Sequence, residues 1–523
     1  MGGNTLDLAI KIILLVAFFG VMIGVGIYCR KNATDVNGFV LGGRSVGPWL
    51  TAFAYGTSYF SAVIFIGYAG QFGWKFGIAS TWIGLGNAII GSFLAWAVLG
   101  RRTRIMTQHL NSSTMPEFFG KRFDSNGLKI GASIITFIFL IPYTASLYNG
   151  LSRLFSMAFN VPYIWCIVAM SVLTGIYVIA GGYMATAIND FIQGIIMLFG
   201  IVAVIAAVLM NQGGFTSALN KLAEVQDPAV STPGAFNSFF GPAPLELLGV
   251  IILTSLGTWG LPQMVQKFYA IKHERDIRKG MVISTAFALI VAGGCYFLGG
   301  FGRLFGDVID KNPDGSIVFD SIVPHMLEDL HPLLIAIVVI LVLSASMSTL
   351  SSLVIASSST LTIDLLKGHV IKKMDDKKQV LIIRIFVVVF IAISAFIAIY
   401  QTQSKNESVK FIAQLMGVSW GALAGAFLAP FLYGLYWKKT TKLACWVSFI
   451  FGAGIMLLNL FAKQIFPKLL QSPINCGALA MIAGLIIVPV VSLITPKPDK
   501  KMVDDAFACY EKQVPAKQKN SLD

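Results

Sequence analysis

The chain is a succession of apolar runs, and each is about as long as a bilayer is thick. A helix needs roughly 20 apolar residues to cross the hydrocarbon core. Such runs, bounded by charge and by Gly or Pro, fall at 6–28, 48–70, 77–100, 130–158, 162–180, 185–210, 246–268, 281–302, 332–357, 379–400, 411–436, 443–462 and 474–495. In lipid every backbone N–H and C=O must be satisfied internally, so these runs fold as helices and not as open strands. The pattern predicts an all-α polytopic membrane protein with about 13 transmembrane helices. Residues 1–495 form a single transmembrane domain. Residues 496–523 form a basic tail whose composition suits a flexible, membrane-adjacent segment. The run 6–28 reads as a span and not as a cleaved signal, because it is long and no basic residue precedes it.

Composition closes off the other classes. Of 523 residues 56% are apolar and 12% charged, against roughly 25% charged in a soluble domain. Neither a water-soluble globule nor a disordered chain has that balance. The net charge of +14 would suggest nucleic acid in a soluble protein; here the basic residues orient the spans, and no nucleic-acid partner is expected. Of the 39 Lys and Arg, 29 fall in one set of loops and the tail. Positive loops stay in the cytoplasm, which places the N-terminus outside and the C-terminus inside the cell membrane. The six Cys and five His form no disulfide framework or zinc motif. No nucleophile–base constellation appears, so the chain does not read as an enzyme. No Lys or Arg stands inside a span clear of its ends, so no anion anchor is expected there.

Three features break the apolar background. The span TAFAYGTSYFSAVIFIGYAG (51–70) carries Gly56, Thr57, Ser58 and Ser61 at its middle. Such a helix either unwinds, freeing carbonyls for a cation or a watery cavity, or uses small residues for close helix approach. The span at 341–364 carries Ser344, Ser346, Ser348, Thr349, Ser351 and Ser352. Ser348, Ser351 and Ser352 share one face. Hard cations favour such oxygens, while the plainer reading is hydroxyls bonded to their own or neighbouring helices. Third, Asp190 lies just inside a span, where a carboxylate costs roughly 2.5–3.5 kcal/mol on insertion scales. It pairs with an ion or a base, or reaches water at the cytoplasmic mouth. Tyr59, Ser61, Asn87, Trp259, Gln263 and Gln414 are candidates to line a substrate pocket; each alone also suits an interhelical contact.

The segments FVLGGRSVGPWLTAFAYGTSYFSAV, AGGYMATAINDFIQ, SMSTLSS and GLYWKKTTKL resemble the sodium–solute symporter family, including its sodium/proline, sodium/pantothenate and sodium/monocarboxylate carriers. The resemblance implies a core of two inverted five-helix repeats, spans 2–6 and 7–11, with broken helices at mid-membrane. It implies one sodium site at the carbonyls of Thr57, Phe60 and Ala345 and the hydroxyls of Ser348 and Thr349. A second sodium, held in some members, would use Asp190 with Ser348, Ser351 and Ser352. Na⁺ is then the coupling ion, the only metal and the only cofactor expected.

The implied function is Na⁺-coupled secondary active import of a small organic solute by alternating access. The rival is a uniporter or channel-like facilitator without obligatory Na⁺ coupling. For the solute, an amino acid, a monocarboxylate or a vitamin-like acid stand open, and a sugar is disfavoured. The sodium/proline branch has an aspartate where this chain has Tyr59, and the sugar branch has Glu–Gln where it has Val63–Ile64.

Overall fold

A computed structural model describes residues 2–159, 162–228, 230, 232–311, 315–367, 370–371, 374–403 and 412–510. Among them no strand forms, and pairing outside helices is limited to isolated bridges such as Val46–Ile271. Ten helices are long and apolar enough to cross a bilayer, or eleven when the pair Pro244–Trp259 and Pro262–Tyr269, bent by 41°, is taken as one. Ten or eleven is fewer than the 13 expected spans, for two reasons. Val63–His109 and Ile164–Asn211 are 47 and 48 residues long, about twice what one crossing needs, and each joins two expected spans at a sharp kink with no loop between them. Each also holds a glycine at positive φ, Gly77 at 62° and Gly182 at 55°. A Cβ on Gly77 would lie 2.0 Å from the Phe236 carbonyl oxygen, so that turn needs glycine for space as well as conformation.

The second reason is that the expected span 48–70 is not one helix. Pro48–Tyr59 stops at Phe60, where the backbone is extended (φ −84°, ψ 120°). A π-helical stretch, Val63–Tyr68, then leads into Ala69–Phe76. The expected span 246–268 breaks in the same way at Leu261 (φ −85°, ψ 121°), ahead of Pro262–Tyr269. Between the two breaks lies a third irregularity, the π-helical Asn87–Leu94. Such bulges loosen the backbone ladder and recur at functional sites.

Burial sorts the helices into centre and rim. In the 18-residue apolar stretch of each helix, 94% of residues are buried in Gln414–Tyr436 and 72% in Pro332–Leu366, against 22% in Ala9–Asn32. The serine-rich helix Pro332–Thr360 packs against Tyr163–Asn211 and Asn126–Phe159, so its hydroxyls face protein and not lipid. The expectation of a flexible tail is corrected for its first part. Lys500–Phe507 is a helix that buries Val503, Ala506 and Phe507, an i, i+3, i+4 face. Lys438 pairs with Asp504 at 3.0 Å, and Tyr510 donates to the Arg102 carbonyl at 3.1 Å. Residues 511–523 lie outside the described residues.

Candidate functional site

The first break follows from its hydroxyls. Thr57 and Ser58 donate back to the carbonyls of Phe53 and Ala54, at 2.8 and 2.5 Å, a habit that bends helices. Phe60 N–H still bonds Gly56 at 3.2 Å, but Ile64 and Phe65 N–H both turn to Ser61 at 3.0 Å. The carbonyls at the break accept from the serine-rich helix instead. Ser348 Oγ donates to Thr57 at 3.2 Å and lies 3.1 Å from the Ala345 carbonyl. Thr349 Oγ1 lies 3.1 Å from the Thr57 and Phe60 carbonyls and 3.0 Å from that of Ala345. Five oxygens thus converge in a buried place, three from carbonyls and two from hydroxyls. Their spacing is close to that of oxygens crowded round one hard cation at about 2.3–2.6 Å. All five are neutral, which suits a single positive charge.

A second polar group sits one turn further along the serine-rich helix. Asp190 is buried, and both its oxygens fall outside hydrogen-bond geometry with any described residue. Its nearest opposite charge is Lys267, whose Nζ stands 3.7 Å from Oδ2. Lys267 is itself only 2% exposed. Its ammonium donates to Ser352 Oγ at 2.9 Å and lies 5.0 Å from the Tyr183 ring centroid. Ser352 Oγ in turn is 2.7 Å from Ser58 Oγ. The expectation concerns basic residues clear of the span ends; Lys267, at such an end, is nonetheless buried among the helices. Its position near the cytoplasmic end of a predicted span read as a loop charge, and the break at Leu261 swings it inward. A cationic group of the chain thus stands within ion-pair reach of Asp190. Ser351 Oγ bonds its own helix at Ser348, 2.9 Å away.

The expected pocket residues divide. Tyr59, Ser61, Asn87 and Gln263 are buried, and the Tyr59 and Ser61 hydroxyls, Asn87 Nδ2 and the whole Gln263 amide lie outside hydrogen-bond geometry with any described residue. Trp259 is committed, since its Nε1 donates to the Ile90 carbonyl at 2.9 Å. Thr258 beside it donates to Gly91 at 3.0 Å. These acceptors belong to the π-helical stretch 87–94, where backbone carbonyls point out of the helix. A cavity of about 10 Å³ lies between Tyr55, Tyr59, Asn87 and Thr258, room for one water. Gln414 does not join this group. It lines a separate cavity of about 350 Å³ with Gln71, Lys75 and Asn459, because it sits at the start of its helix, away from the breaks.

With this geometry in place, comparison with known proteins decides the family. The profile of the sodium:solute symporter family matches residues 39–452. The chain belongs to that family. The symporter is 30% identical over 497 residues to the osmoregulated proline transporter OpuE of Bacillus subtilis (strain 168), covering 94% of this chain and 96% of that one. It is 29% identical over 498 residues to a sodium/proline symporter of Staphylococcus aureus (strain COL), covering 94% and 93%. Its fold matches that of a Na⁺-coupled sialic acid symporter solved in a substrate-bound, outward-open state. The TM-score is 0.71 at 16% identity, over 94% of this chain and 99% of that one. The protein is a multi-pass membrane transporter that couples Na⁺ to a small solute.

Three residues of the symporter's centre escaped sequence reasoning or were underweighted by it. The Trp420 ring lies 5.8 Å from that of Tyr59 and 6.0 Å from that of Tyr143. Trp420 Nε1 and the hydroxyls of Tyr143 and Tyr296 are buried outside hydrogen-bond geometry. Trp420 sits in SWGALAGAF, an apolar context, so only its exceptional burial in a small-residue helix marks it.

Proposed function

We infer that Thr57, Phe60, Ala345, Ser348 and Thr349 hold the coupling Na⁺, and that the solute is a small carboxylate of about the size of proline. The sodium reading rests on one observation, the five converging neutral oxygens at the first break. That cluster joins Pro48–Tyr59 to Pro332–Thr360, one helix from each half of the chain. An ion bound there ties the halves together, and its departure frees them to rock apart.

The solute reading draws on the group around Tyr59. Tyr59, Tyr143 and Trp420 offer aromatic faces, and their polar atoms with Ser61, Asn87 and Gln263 supply donors without a fixed counter-charge. Aromatic faces with few convergent donors suit a small, partly apolar anion or zwitterion, for which the one-water cavity beside Tyr59 would have to widen. The two relatives carry proline in their names, which supports L-proline as the first solute to try. The test is thermal unfolding of the purified chain with L-proline, L-lactate and pantothenate, each with Na⁺ and with K⁺. Binding to the folded state raises the melting temperature; the expected result is a rise with L-proline in Na⁺ alone. A flat response to all three solutes would sink the solute reading.

The basic loops support a cell-membrane orientation with residues 1–495 as the transporter, the N-terminus outside, and 496–523 as a cytoplasmic tail. Single cysteines at 101–129 should then resist an impermeant thiol reagent in intact cells, and labelling from outside would reverse the orientation.

A further inference from the structure

We propose that the Lys267 ammonium stands where a second sodium would bind, so that this chain carries one Na⁺ per cycle and uses an internal ion pair in place of the other. The inference rests on the sodium site proposed above and extends it. The groups available to a second ion are Asp190 and the hydroxyls of Ser348, Ser351 and Ser352. The three hydroxyls are hydrogen-bonded and Asp190 faces an ammonium, so the group as a whole has no net charge to neutralise. Asp190 has the ammonium at 3.7 Å. Ser352 accepts from the same ammonium at 2.9 Å. Ser351 is turned onto its own helix, and Ser348 reaches toward Thr57 in the first cluster. A carboxylate and an ammonium sum to zero. A Na⁺ added beside them would be an uncompensated charge, repelled by the ammonium in a place where both partners of the pair are buried.

The same contacts give Lys267 a second task. It is carried on Pro262–Tyr269, the half-helix beyond the second break, while Asp190 and Ser352 belong to Tyr163–Asn211 and Pro332–Thr360. Ser352 touches Ser58, the neighbour of the sodium-facing Thr57. A line of contacts therefore runs from Asp190 through Lys267, Ser352 and Ser58 to the first sodium cluster. These contacts tie the second half-helix to its two neighbours.

Equilibrium binding of ²²Na⁺ to the purified full chain tests the stoichiometry without knowledge of the solute. Wild type should bind one Na⁺. The paired variant Asp190→Asn with Lys267→Gln, which keeps both shapes and removes both charges, should still bind one, with affinity within about threefold. Ser348→Ala with Thr349→Ala should bind none. Two ions in wild type, or loss of an ion in the paired variant, overturns this inference and leaves the first site standing. No bound ion in wild type overturns the first site and this inference with it. Thermal melts guard against misfolding and probe the pairing. Asp190→Asn or Lys267→Gln alone leaves one buried charge unpaired and should lower the melting temperature more than the paired variant does. Additive losses would show that the two side chains do not act as a pair.

Discussion

The two breaks are nearly the same backbone device put to different uses. Phe60 and Leu261 share their dihedral angles to within a degree. After the first, Ile64 and Phe65 N–H converge on Ser61; after the second, Met264 and Val265 N–H converge on Leu261. What differs is the company. At the first break carbonyls meet hydroxyls of the serine-rich helix, so the break presents oxygen. At the second, Pro262 follows directly, Gly260 lies against Gln414–Tyr436, and Thr258 and Trp259 donate into the π-helical stretch. One break gathers oxygens, where we propose that Na⁺ binds; the other is locked by donors and packing. Chain geometry alone therefore does not make an ion site: the neighbouring helix decides.

The largest effect should come from stripping the first break of its hydroxyls. Ser348→Ala with Thr349→Ala removes two oxygens from a buried cluster, and contacts to a charge are worth roughly 1.5–3 kcal/mol each. Half-maximal Na⁺ for uptake should rise by at least about tenfold while surface expression holds; an unchanged Na⁺ curve would break the contrast between the two sites. Next is Gly260→Ala at the second break. The added Cβ would lie 2.8 Å from Ala424 Cα and 2.9 Å from Leu428 N, backbone atoms that cannot swing aside. A loss of about 1–3 kcal/mol should appear as a lower melting temperature, with Na⁺ affinity of the folded protein kept. If the affinity fell instead, the second break would belong to the ion site.

Trp259→Phe keeps an aromatic face, with a smaller ring, and removes the donor to Ile90. About 1 kcal/mol of stability should go, read from the melt, again with the Na⁺ curve in place. The smallest change is expected from Phe60→Leu, because Phe60 serves through its carbonyl and not its ring. Half-maximal Na⁺ should stay within about threefold of wild type. A shift as large as that of the Ser348 and Thr349 pair would mean that the ring, not the carbonyl, shapes the site.

Most of the membrane architecture was legible in sequence because lipid imposes a length and a polarity on every span. The hydroxyl-rich stretches at 57–61 and 344–352 stood out for the same reason: polar groups in an apolar run need an explanation. The boundaries near Gly77 and Gly182 were legible as glycines between apolar runs; the positive φ that turns the chain there without a loop was not, since hydropathy does not record backbone direction. Gln414 misled because composition does not say which end of a helix faces the breaks.

Sequence by itself determined the class of protein, the apolar spans, the basic loops and the two hydroxyl-rich stretches inside apolar runs. These are properties of residues against lipid and water, and they need no partner. Tertiary structure decided which polar groups met. Asp190 and Lys267 are 77 residues apart in sequence; the first read as a carboxylate in want of an ion or a base, the second as a charge at a span end. The break at Leu261 turns the last part of its span inward and brings the ammonium to the carboxylate and to Ser352. Whether a buried charge is answered by an ion or by the chain depends on that approach, which no local pattern records.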